Sequence, residues 1–256
     1  MRKILFLLLI SLFIPKLCFG AMSASITWEF NASATANMVN GGGFKTGAAG
    51  TDYSTQTAAQ WTASDGTSNA STTFTSASMT FTSAIVGNVL HLTAGTNGTV
   101  GWYEVTAYTD ANTITLDRNC STGAMTNGTF YIGGALSLNS TLDDDFFDQL
   151  VAGQKVYFLK GSYTLGEAVS AAANGTNVLP IYMTGYTSTR DDACNGLNRP
   201  SIAQGANNFI RGGYYREKNI RYTSTASSLG TVGSYSKIEN CKAKNSKEQL
   251  LKSKQM

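Results

Sequence analysis

The chain has 256 residues, only 14% of them charged, and a formal net charge of +3 at pH 7. That length is enough for one large β domain or two smaller ones, each with a real core. Aromatics at 11% with so little charge exclude a disordered chain, and the scarcity of Glu, Lys and Leu runs argues against a helical one.

The first segment, MRKILFLLLISLFIPKLCFGA, has Arg2 and Lys3, an apolar run from Ile4 to Ile14, and small residues at Gly20 and Ala21. It reads as a secretory signal peptide over 1–21, too short in its apolar run for a membrane span, so no membrane contact is expected after cleavage. The alternative is translation from Met22, which makes 1–21 an extension of the gene and leaves the product inside the cell for assembly. Without this segment Arg2, Lys3 and Lys16 are gone and take the +3 with them.

From Ala21 to Leu150, Lys45 and Arg118 stand against ten acidic residues. An acidic surface repels phosphate, so nucleic acid is not an expected partner. The lysines near the end, from Lys237 to Lys254, read as a solvated terminus, with 247–256 as a Lys-rich tail. Of four cysteines, Cys18 lies in the leader, and Cys120, Cys194 and Cys241 show no CxxC metal spacing. They read as small buried hydrophobes or loop residues, with a Cys194 to Cys241 disulfide as the alternative in an exported protein. No metal or cofactor is expected.

Along the chain, ITWEFNA is a short alternating strand and NGGGFKTGAAGTDYS a glycine-rich loop. Strands then recur from Ser71 to Gly134, including GWYEVTAYTDANTITLDR, where Tyr103, Val105 and Ala107 alternate with polar residues on one side of a turn, as do Ile114 and Leu116 on the other. Regular strands with turn signals between them predict a small antiparallel sandwich or barrel, and 22–134 reads as an N-terminal β domain. Next, STLDDDFFDQLVAG predicts a helix capped by Ser140 or Thr141, with Leu142, Phe146 and Leu150 on one face and Gly153 ending it. Its three consecutive aspartates suit a helix dipole better than a calcium loop.

Beyond the helix, KVYFLKGSYTL, LPIYMTGY, RPSIAQG, NFIRGG, NIRYTST and SKIENCKAKNS are short strands with no helices between them. Parallel neighbours without helical crossovers predict a solenoid in which each strand stacks on the last, here over 135–246 together with the preceding helix. The fold class is thus all-β: an antiparallel β domain, one short capping helix, then the first coils of a right-handed parallel β-helix.

The segments GGGFKTGAAGTDYS, VGNVLHLTAGTNGTVGWYEVTAYTDANTITLDR, VAGQKVYFLKGSYTL and IYMTGYTSTRDDACNGLNRPSI resemble the front end of phage and environmental-virus structural proteins of the pectate-lyase-like, right-handed parallel β-helix type. The likeness runs over nearly all of 26–246. It implies a virion-surface or tail-appendage component, often trimeric, whose solenoid faces meet host polysaccharide.

Chemistry is sparse. His91, between Leu90 and Leu92, reads as a surface or edge histidine, and GxSxG and P-loop motifs do not occur. Arg211 and Arg216 bracket Tyr214 and Tyr215, a cluster suited to stacking on sugar rings and hydrogen-bonding their hydroxyls or carboxylates. These four residues are the candidate carbohydrate site. An exported polysaccharide lyase or glycoside hydrolase is the alternative, with Asp191, Asp192, Arg211 and Arg216 as its catalytic candidates. The primary expectation is a structural protein of the virion surface or the cell exterior that presents its solenoid to surface carbohydrate without catalysis.

Overall fold

A computed structural model describes residues 22–35, 37–194, 198–224 and 233–245. The signal-peptide and Lys-rich-tail readings fall outside these residues. Strand β1 (Ile26–Phe30) pairs antiparallel with β2 (Gly43–Lys45). Six strands then close a barrel: β3 (Trp61–Asn69), β4 (Thr73–Thr75), β5 (Val89–Gly98), β6 (Gly101–Asp110), β7 (Thr113–Leu116) and β8 (Ser121–Ile132), in spatial order β3-β4-β7-β6-β5-β8.

Every pairing in the barrel is antiparallel. Period two explains its core: Leu90, Leu92, Tyr103, Val105, Ile114, Leu116, Phe130 and Ile132 are buried together with Phe74. Closure removes free sheet edges, which settles the choice between sandwich and barrel. Where β5 and β6 carry His91 and Trp102, their other face does not meet water either. His91 and Trp102 stack there with centroids 4.0 Å apart, and Trp102 meets Phe146 edge-on at 5.9 Å. The barrel therefore shares one wall with the second core.

That core begins with β1 and with α1 (Asp143–Asp148). The helix is shorter than its sequence pattern predicts. Its N-cap is Leu142 without a side-chain cap bond, while the Ser140 hydroxyl accepts the N–H of Leu142 instead. Gly153 lies beyond the helix in a turn with φ +95°. What fixes the helix is packing: Phe146 sits against Trp28 and Phe30, and Phe147 against Phe209.

The remaining strands are β9 (Lys155–Leu159), β10 (Ser162–Thr164), β11 (Val169–Ser170), β12 (Ile181–Tyr186), β13 (Ser201–Ala203), β14 (Phe209–Ile210), β15 (Tyr215–Lys218), β16 (Arg221–Ser224), β17 (Lys237–Glu239) and β18 (Lys242–Asn245). They form three parallel ladders. The first runs β1-β9-β12-β15-β17, the second β10-β13-β16-β18, and the third β11-β14. The chain visits the three in the same order twice, and the strands described beyond them, β15 to β18, belong to the first and second ladders in turn. Residues before and after the barrel thus share a sheet, because β1 of the 22–134 segment pairs with β9.

In the first ladder the inward row is Trp28, Val156, Met183, Glu217 and Ile238. Two residues beyond Met183 in β12, Gly185 has no room for a side chain, since a Cβ would lie 2.2 Å from the carbonyl oxygen of Asn219. Cys120, Cys194 and Cys241 are free thiols, so the Cys194 to Cys241 disulfide is not formed. Among the described residues no helix is long and apolar enough to cross a membrane.

Candidate functional site

Once the inward row of the first ladder is fixed, strand alternation fixes what faces out. Lys155, Tyr182, Arg216 and Lys237 are in register on neighbouring strands, and Tyr157, Thr184, Lys218 and Glu239 form the next row. Together with Asp191 these rows line an open hollow of about 470 Å³. Four cations thus project from one sheet face, with Lys237 ion-paired to Glu239.

Beside the first row stands an aromatic pair. Tyr214 and Tyr235, each two residues before its row member, stack with centroids 5.0 Å apart and planes at 14°. Both have left-handed backbones, φ +59° and +60°, where the matching position before Lys155 is Gly153. A bulky residue in that region is strained, at a cost on the order of 1 kcal/mol or more. Tyr235 is 73% exposed, and its carbonyl accepts the Arg216 guanidinium at 2.7 Å.

The opposite end of the hollow is walled by the loop after β12. Asp192 builds that loop by accepting the N–H groups of Thr187, Ser188 and Thr189, and these bonds, Thr187 first, hold its carboxyl down to about pKa 2. Arg190 ties the loop down through Glu29, Asp52 and Ser54, each at 2.8 Å. Glu29 also accepts the hydroxyl of Tyr186. Burial pushes the Glu29 carboxyl up to about pKa 7, against the opposing pull of Arg190 and Tyr186. Next to Arg190, Asp191 accepts the Tyr157 hydroxyl with both oxygens at 2.9 Å and faces the hollow.

The structure divides the candidate carbohydrate cluster. Tyr214 and Arg216 are on the outer face, but Arg211 and Tyr215 are buried at 4% and 0% exposure and cannot touch a sugar. Arg211 enters the core because Glu217 is there: the pair bonds at 2.5 and 3.3 Å, Tyr222 donates to Glu217 at 2.9 Å, and the guanidinium lies over the rings of Phe209 and Tyr222. Burial likewise removes Arg211 from the catalytic candidates. Asp191 and Asp192 have separate duties, one on the groove wall and one inside the loop. His91 is no surface residue: it is fully buried, its Nδ1 lies 2.8 Å from the Val39 carbonyl, and burial drives its pKa down to about 4.

Sequence reasoning missed Lys155, Tyr182, Lys218, Lys237 and Tyr235. They recur at unequal intervals, so only the strand register brings them together. Among the described residues no group of three or more His, Cys, Asp or Glu side chains could hold a metal ion. Comparison of the chain with family models, curated proteins and solved structures gave no match.

Proposed function

We propose that this chain is a structural, carbohydrate-binding protein of a virion surface, tail appendage or cell exterior, with no catalysis of its own. In this reading the three ladders are the first turns of a right-handed parallel β-helix, and the outer face of the first ladder meets surface polysaccharide. The repeated order in which the chain visits the ladders supports the architecture. The observation that carries the function is the stacked pair Tyr214 and Tyr235, held in strained backbone beside Arg216 and Lys237. Strain at bulky residues is retained where the exposed side chain has a use, and flat aromatic faces beside cations suit sugar rings with hydroxyl or carboxylate substituents.

The enzymatic reading loses support, because Arg211 and Asp192 are committed to the core ion pair and to the loop. The test replaces both tyrosines by glycine, which tolerates the left-handed backbone. Tyr214→Gly with Tyr235→Gly should lower affinity for surface polysaccharide by about tenfold or more while the melting temperature stays level or rises. Unchanged binding in the double variant would remove the reading.

A further inference from the structure

The charge along the groove is uneven. Its β15 and β17 end carries Arg216, Lys218 and Lys237 against Glu239, which is tied to Lys237. Its β9 and β12 end carries Lys155 against Asp191, with the neutral Tyr157, Tyr182 and Thr184 between them. The two ends are separated by two strand spacings, roughly 10 Å, a length on the scale of a disaccharide.

Asp191 is held rigidly at its end. Its backbone is left-handed at φ +67°, its oxygens accept the Tyr157 hydroxyl, and its neighbour Arg190 is bonded to Glu29, Asp52 and Ser54. The Tyr157 hydroxyl is thereby committed and does not offer a donor to an incoming carboxylate. The remaining lone pairs of Asp191 accept sugar hydroxyls, whereas an anionic sugar at the same place meets a fixed negative charge. Like charges brought together at an interface cost enough to set partner choice.

We propose that Asp191 is a specificity residue that makes this groove select an acidic heteropolysaccharide, with an anionic unit over Arg216, Lys218 and Lys237 and a neutral unit over Tyr157. This rests on the carbohydrate-binding reading of the same face. A uniformly anionic polymer satisfies the cationic end and is repelled at Asp191. A neutral polymer suits the Asp191 end and leaves the cations without partners.

The experiment titrates the whole chain with three polymers: hyaluronan, which alternates glucuronate with a neutral amino sugar, alginate, which is uniformly anionic, and dextran, which is neutral. Hyaluronan should bind about tenfold or more tighter than either of the others, with an affinity that falls as salt rises. Asp191→Asn keeps an acceptor for Tyr157 and removes the charge, so it should raise alginate affinity about tenfold and leave hyaluronan within about twofold. Tyr157→Phe, which frees Asp191 while keeping its charge, should narrow the hyaluronan-to-alginate ratio. Equal binding of alginate and hyaluronan by the unaltered chain, or an unchanged ratio in Asp191→Asn, overturns the proposal. Preference for dextran overturns it while leaving carbohydrate binding intact, and binding of none of the three overturns both.

Discussion

Arg211 and Arg216 are five positions apart and have opposite fates, decided by a single side chain. Glu217 stands in the inward row between Met183 and Ile238, and a carboxylate there requires a cation that also faces inward. Removing one partner of a buried pair leaves the other charge uncompensated. Arg211→Ala should therefore destabilise the chain by about 3–5 kcal/mol, read by urea denaturation. Arg216→Ala should stay within about 0.5 kcal/mol and weaken polysaccharide binding. Glu29 makes a second residue-scale prediction. Its folded pKa, about 7, lies above the ordinary value of 4.5, so the folded state takes up a proton first and this group stabilises as pH falls. Relative to Glu29→Gln, the unaltered chain should gain stability as pH is lowered from 7 towards 4.5, by on the order of 1 kcal/mol per pH unit. His91 works in the opposite direction, since its depressed pKa costs stability as pH falls from 6.5 towards 4. Comparison with Glu29→Gln isolates the carboxyl from it, and parallel pH profiles for the two proteins would refute the assignment.

At the scale of elements, the barrel strands after Ser71 were legible where apolar and polar residues alternate, whereas β3, largely polar, lies before the stretch whose pattern reads as strand. The hairpin from Gly101 to Leu116 forms as its alternation predicts. The helix was legible as a helix but not in its ends. Hydrophobic spacing sees the face carrying Phe146, whereas the acids have a tertiary task that spacing does not encode. Asp144 accepts the N–H of Ser170 and Asp148 that of Ala172, each at 2.6 Å, so carboxylates of α1 take the place of a neighbouring strand along β11. Asp148→Ala should accordingly cost about 0.5–1.5 kcal/mol, while the exposed Asp145 should change to Ala within about 0.5 kcal/mol. Equal effects at the two positions would show that the bond from Ala172 to Asp148 contributes nothing measurable. Strand β15 was the hardest to read: proximity in sequence groups Arg211, Tyr214, Tyr215 and Arg216, but Glu217 interrupts the apolar alternation and spacing does not show that Tyr215 and Arg211 turn inward.

At the scale of the molecule, two cores meet across β5 and β6, with the barrel on one side and the ladders with α1 on the other. All-β character and an antiparallel sandwich or barrel could be read from composition and period two, and closure of the six strands decides between them. The groove could not, because its residues are distant in sequence and their shared face follows from parallel register. The central claim is that this face, rather than the barrel or the second ladder, binds carbohydrate. Its most direct test is lysine acylation of the whole chain, mapped by mass spectrometry with and without saturating polysaccharide. Lys155, Lys218 and Lys237 should become protected, while Lys160 and the second-ladder Lys242 continue to react as in the free chain. Protection that falls on Lys160 or Lys242 instead, or acylation of the three groove lysines that polysaccharide leaves unchanged, would contradict the account.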